Sequence, residues 1–124
     1  MHIPEDLKYT KDHEWARIDN DIATIGITDF AQSELGDIVY IDLPEIGIAA
    51  EQSKAFGTIE AVKAVSDLFS PLTGEVVDIN NKISDTPEIV NKDPYGEGWL
   101  IKIKISKTSE LNNLLNKSQY EKLI

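Results

Sequence analysis

Phe56-Gly57-Thr58-Ile59-Glu60-Ala61-Val62-Lys63-Ala64-Val65-Ser66-Asp67-Leu68-Phe69-Ser70-Pro71 reads as two short strands around a single lysine. Ile59 and Val62 lead in, and Val65 and Leu68 lead out. β-Branched residues on both sides favour strands. A lysine resists burial, which places Lys63 at the strand reversal. No other lysine lies between Lys54 and Lys82, and Glu60 and Asp67 stand three before and four after Lys63. Two readings are open from this stretch alone. One is an ordinary solvated turn lysine; the other is a lysine presented at a tip for covalent modification.

Working outward, 124 residues suffice for one domain, residues 1–124, with a real core. The 41% apolar content and two tryptophans argue against disorder. Net charge is −10, concentrated in residues 1–50, where eleven acids face three bases. Such a chain repels nucleic acid and anionic membrane and suits docking onto basic partner surfaces. Without cysteine it has no disulfide and no thiolate of its own. No apolar run approaches membrane-spanning length. Met1 to Asp6 has the character of neither a signal nor a transit peptide, so the expected location is the cytoplasm, with a mature mitochondrial form as the alternative.

Along the chain, Glu14–Ile18 and Ile22–Ile27 alternate as strands around the turn Asp19-Asn20-Asp21, with Ala23, Ile25 and Ile27 on one face. Thr28 caps a helix over Asp29–Leu35 that Gly36 ends. Asp37–Leu43 is a third strand, and Glu45–Ser53 a loop. After the lysine hairpin, Glu75–Ile79 is a strand, and Thr86-Pro87 signals a one-turn helix to Val90. Trp99, Ile101, Ile103 and Ile105 alternate with Leu100, Lys102 and Lys104 as another strand. Ser109 caps a helix carrying Leu111, Leu114 and Leu115; Tyr120, Leu123 and Ile124 form a last packed turn. About seven short strands with small peripheral helices indicate a mainly β sandwich or barrel.

Chemistry of its own is sparse. Two histidines, His2 and His13, cannot build a histidine-rich zinc site, and there is no Gly-rich phosphate loop. No nucleophile elbow is present. Asp12-His13-Glu14-Trp15 is a compact polar cluster, which reads most simply as surface residues beside one core tryptophan. The chain reads as one that binds or carries something.

The segments together resemble the H proteins of the glycine cleavage system. They are Leu7-Lys8-Tyr9-Thr10 with Asp12-His13-Glu14-Trp15; Ala23 to Gln32 with Gly26-Ile27-Thr28-Asp29; Leu35 to Tyr40; Phe56 to Asp67; Ser70 to Val76; and Asn91 to Leu100 with Asp93-Pro94-Tyr95. They run in the family's order and cover nearly the whole chain. The lysine segment alone is shared with other lipoyl domains; the His-Glu-Trp, Gly-Ile-Thr-Asp and Asp-Pro-Tyr segments are more specific. Two positions depart: Ala61, where many members carry serine, and Glu34, where plant members carry histidine.

The resemblance implies a lipoyl/biotinyl-type barrel-sandwich hybrid with short peripheral helices and a C-terminal helix, and with Lys63 at a hairpin tip. It implies lipoate in amide linkage to Lys63, which supplies the sulfur chemistry that the chain lacks. It implies a non-catalytic carrier of one-carbon metabolism that serves the pyridoxal-phosphate glycine decarboxylase, the tetrahydrofolate-dependent aminomethyltransferase and dihydrolipoamide dehydrogenase, and is itself modified by lipoylating enzymes. In the family the loaded arm docks near the position of Glu14, and an acidic surface there suits a cationic aminomethyl end. Asp67, on the lysine hairpin, is the second expected contact and Asp12 a third. A lipoate-relay protein, a 2-oxoacid dehydrogenase lipoyl domain, a biotin carrier and an unmodified β-sandwich module are the rivals. The absence of a linker and catalytic domain speaks against the second, and Val62 and Ala64 in place of methionines against the third.

Overall fold

The computed structural model describes residues 1–124. In chain order the elements are β1 (Lys8–Tyr9), β2 (Glu14–Asp19), β3 (Ile22–Ile27), α1 (Asp29–Leu35), β4 (Ile38–Asp42), β5 (Ala49–Ala50), β6 (Ala55–Ala61), β7 (Val65–Phe69), β8 (Gly74–Ile79), α2 (Lys82–Asp85), α3 (Ile89–Lys92), β9 (Ile101–Ile105), a 3-10 helix (Thr108–Asn113) and α4 (Lys117–Leu123). The strands form two antiparallel sheets. One has the order β1-β2-β3-β9-β8-β5 and the other β4-β6-β7. The fold is mainly β, as the alternation requires, but the sheets do not close into a full barrel.

Period-two patterning determines what lies between the sheets. Ala23, Ile25 and Ile27 of β3 pack with Ile101, Ile103 and Ile105 of β9 and Val76 of β8; Ile41, Ile59 and Leu68 face them from the small sheet. Each fully buried aliphatic side chain contributes about 1.5–3 kcal/mol relative to exposure, so this layer holds the two sheets together. A second cluster, Leu7, Tyr9, Trp15 and Tyr120, joins β1 and β2 to α4, with the Tyr9 and Tyr120 rings stacked 4.7 Å apart.

Helix α1 follows its sequence signals closely. Thr28 Oγ1 accepts from the Ala31 amide, and Gly36 ends the helix at φ +79, a conformation open chiefly to glycine. Elsewhere the sequence expectations need correction. Nine strands exist rather than about seven, because β1 and β5 are two residues each, too short to show a period. Thr86-Pro87 does not open a helix; Thr86 closes the unexpected α2, and α3 begins at Ile89. Ser109 lies inside a 3-10 helix that has no side-chain cap. Tighter 3-10 winding leaves Leu114 buried, with Leu111 and Leu115 half-buried. The last helix is instead capped by Asn116 and Gln119 in a reciprocal box; of its apolar residues only Tyr120 is buried, while Leu123 and Ile124 are exposed. Leu100 is buried rather than facing out with Lys102, since β9 starts only at Ile101, two residues later than expected, and the Leu100 amide donates to Ile25 O.

Candidate functional site

Lys63 sits in the three-residue turn Val62-Lys63-Ala64 between β6 and β7, and all three residues are exposed. The turn is fixed by its own backbone. The Ala61 amide donates to Ala64 O at 2.7 Å, and the Val62 amide to Asp37 O at 3.0 Å. The lysine side chain lies over Gly36 at the end of α1: a Cβ there would stand 3.4 Å from Lys63 Cε. Lys54 and Lys82, its neighbours in sequence, are not at this tip; Lys82 pairs with Glu97 at 2.8 Å.

Beside the hairpin, α1, β2 and β7 enclose a cavity of about 230 Å³. Ile27, Phe30, Leu35, Ile59 and Leu68 line it with hydrocarbon; Asp12, Glu14, Glu34 and Asp67 line it with carboxyls; His13 completes it. Glu14 and Asp67, far apart in sequence, thus face one space together with Asp12. The apolar walls were not foreseen. Ala31 and Leu35, four residues apart, share a face of α1, and that spacing is the one local signal that could have located part of the wall.

The Asp12–Trp15 cluster is not a surface cluster. Asp12 is exposed and His13 half-buried, but Glu14 is only 2% exposed and Trp15 is fully buried. Glu14 is therefore no part of an acidic surface; Asp12, Glu34 and Asp67 are the exposed acids of the cavity. The reason is that Glu14 opens β2 opposite Ile27, inside the packed layer. Its carboxyl is satisfied by the Thr10 hydroxyl at 2.7 Å and the Phe69 amide at 3.3 Å. Burial pushes it up from the ordinary carboxylate value to about 8, against those two donors, with Asp12 adding to the rise. Glu14 also borders a second, more polar cavity of about 360 Å³ shared with Thr10, Ser70 and Asn113.

Three sequence segments interlock behind this site. Gly26 stands opposite Trp15, and the Trp15 indole N–H donates to Pro94 O at 3.0 Å. The Arg17 guanidinium donates to Tyr95 O, and the Asp29 amide donates to Tyr95 Oη. The His-Glu-Trp, Gly-Ile-Thr-Asp and Asp-Pro-Tyr motifs are one packed unit that seats β2 and α1 around the cavity.

Comparison with known proteins matches residues 7–124 to the family "Glycine cleavage H-protein". The chain belongs to the glycine cleavage H-protein family. It is 51% identical over 122 residues to the glycine cleavage system H protein of Carboxydothermus hydrogenoformans, covering 98% of this chain and 94% of that one. It is 52% identical over 124 residues to that of Bacteroides thetaiotaomicron, covering 100% and 98%. A crystal structure of a glycine cleavage system H protein from Mycobacterium marinum superposes with a TM-score of 0.90 at 37% identity, over 97% of each chain. The H-protein fold therefore extends over the whole frame in which Lys63 and the cavity sit.

Proposed function

We propose that this H-protein family member is the lipoyl carrier of a glycine cleavage system, with Lys63 as the attachment point and residues 1–124 acting as one carrier domain. The observation that carries the reading is a lone, exposed lysine on a fixed turn beside a cavity that is apolar along its walls and acidic at Asp12, Glu14, Glu34 and Asp67. The residues suit a lipoyl amide. An exposed tip between Val62 and Ala64 admits a modifying enzyme, and hydrocarbon walls suit a methylene chain. The bound group would supply a dithiolane that accepts an aminomethyl group and is later reoxidised.

The protein's part is presentation. Lys63 would reach the glycine decarboxylase, the aminomethyltransferase and dihydrolipoamide dehydrogenase in turn, and tethering raises the effective concentration at each. Between visits Glu14 and Asp67 would hold a cationic arm end in the cavity. The chain is a carrier subunit and does no catalysis of its own in this reading. Its place of work is the cytoplasm; no helix is long and apolar enough to cross a membrane. Nothing in the chain favours the lipoate-relay alternative. The test is glycine–bicarbonate exchange with the decarboxylase: lipoylated protein should support it and unmodified protein should not. Equal exchange with both forms would sink the proposal.

A further inference from the structure

His13 reaches the cavity from an unusual backbone. Its φ is +70, in the left-handed region. It is pinned there by its amide donating to Thr10 O at 3.1 Å and its carbonyl accepting from the Thr28 amide at 2.9 Å. Strained positions of this kind cluster at functional sites. The ring is set against Phe30 at 4.8 Å, and Nδ1 lies 2.8 Å from Tyr120 Oη. Tyr120 Oη lies in turn 2.8 Å from Thr28 Oγ1. Nε2 makes no hydrogen bond within the protein and is not sealed in the interior.

Counting protons along this chain gives it a direction. Thr28 is fully buried. Its hydroxyl has two polar neighbours, the Ala31 amide and Tyr120 Oη. An amide can only donate, so the Thr28 proton goes to Tyr120 Oη. Tyr120 is also fully buried, and its own proton has His13 Nδ1 as the remaining acceptor. Nδ1 is then an acceptor, and the neutral ring carries its proton on Nε2. Protonating His13 would require both hydroxyls to turn and would strand the Thr28 proton in the interior, which carries a desolvation cost.

We propose that Tyr120 and Thr28 are positioning residues of the cavity: their hydroxyls fix His13 as the Nε2–H tautomer, so that the imidazole offers a hydrogen-bond donor to the cavity without adding a cation to it. This rests on the carrier reading only for its consequence, which is that the cavity remains a cation site. The charged and titratable groups facing His13 are Asp12 on the β1–β2 connection, Glu14 on β2, Glu34 on α1, Asp67 on β7 and Tyr120 on α4. Asp12 and Glu34 pull His13 toward protonation, while burial, the larger influence, holds it below its ordinary value. The hydroxyl chain reinforces burial. A protonated His13 would offset one carboxylate and compete with a cationic arm.

The first measurement is the nitrogen NMR signature of the His13 ring in the unmodified full-length protein, which needs no lipoate. Native protein should show Nδ1 bare and Nε2 protonated. Tyr120→Phe, which keeps the stacking on Tyr9, should give mixed tautomers and an upward shift of the His13 titration midpoint. Thr28→Val should also mix the tautomers and Thr28→Ser restore the native one, which separates the hydroxyl chain from helix capping and folding. A native Nδ1–H signature, or a tautomer unchanged in Tyr120→Phe, overturns the proposal. The second measurement is the lifetime of the aminomethyl-loaded protein against pH. Tyr120→Phe should shorten it several-fold between the native and the raised His13 midpoints and leave it unchanged at pH values above both. An equal lifetime at every pH overturns the cation-site consequence. Failure of Lys63 to accept lipoate would instead overturn the carrier reading and leave the tautomer result standing.

Discussion

Glu14 Oε2 accepts from the Phe69 amide at 3.3 Å, so a carboxyl of the six-stranded sheet touches the lysine hairpin two residues beyond Asp67. This contact places a buried acid against the strand that leads away from Lys63. Two donors, the Thr10 hydroxyl and the Phe69 amide, are too few to offset loss of water around a full negative charge, and the carboxyl rises to about 8.

That shift sets a stability profile. The folded-state value lies above the ordinary 4.5, so as pH rises the unfolded chain gives up this proton first. The contribution is fully present below about 4.5 and is lost progressively toward 8. Glu14→Gln, which cannot ionise, should remove this slope, and should be more stable than the parent at pH 8 by roughly 2–4 kcal/mol. Urea midpoints at pH 4.5 and 8.5 measure it. Parallel profiles for the two proteins would show that Glu14 does not titrate in this range.

Lys63→Arg keeps a cation on the exposed turn but removes the amine that an acyl group needs. It should abolish modification and all carrier activity while leaving the denaturation midpoint within about 0.5 kcal/mol, as for other exposed substitutions. Peptide mass mapping decides the site. A lipoyl increment on Lys54 or Lys82 would refute the assignment to Lys63.

Gly26→Ala tests the packed motif unit. An added Cβ would stand 2.6 Å from Trp15 Cε2, a rigid ring held by its bond to Pro94 O. Overpacking of this kind costs about 1–3 kcal/mol. The unfolding midpoint should fall by that amount, with a change in Trp15 fluorescence. A midpoint equal to that of the parent would mean that the indole moves freely, contrary to its burial.

Where the sequence was legible, local signals agreed with tertiary packing. Thr28, Asp29 and Gly36 gave α1 its limits because the cap, the first-turn acid and the left-handed terminator all act within one helix. Lys63 was placed at its turn because a lone lysine between β-branched runs has few other solutions. The site was legible only in part. Glu14 reads as a charged residue in a polar run, and nothing local reveals that register with Ile27 carries it indoors. The cavity itself is a product of several elements meeting, so Phe30 on α1 and Ile59 on β6 carried no separate mark. Thr86-Pro87 misled because the two short helices there are held by Ile83 and Val90 in the core rather than by their caps.

The two acids should act on a loaded arm differently, and pH separates them. The aminomethyl end is a primary amine and is cationic near neutrality. A charge-assisted bond to Glu14 would contribute roughly 1.5–3 kcal/mol in this mostly dry position. At pH 7, however, an acid with a value of about 8 must first give up its proton, at about 1.4 kcal/mol per pH unit. That leaves roughly 0–2 kcal/mol at pH 7 and the full amount above pH 8. Asp67 is exposed, so its share is about 0–1 kcal/mol. Docking should therefore strengthen as pH rises from 6.5 to 8.5 and should release a proton at the lower end. Glu14→Gln, whose single amide oxygen can keep one of the two original donors, should leave lipoylation and reoxidation by the dehydrogenase unchanged. It should speed spontaneous loss of the one-carbon unit to water, by little at pH 6.5 and by about tenfold or more at pH 8.5, from the loss of roughly 1.5–3 kcal/mol. Asp67→Asn should have a smaller effect that salt abolishes. Loaded protein that decays at the parental rate in the Glu14→Gln, Asp67→Asn double variant at pH 8.5 would mean that the arm end does not rest on these carboxyls.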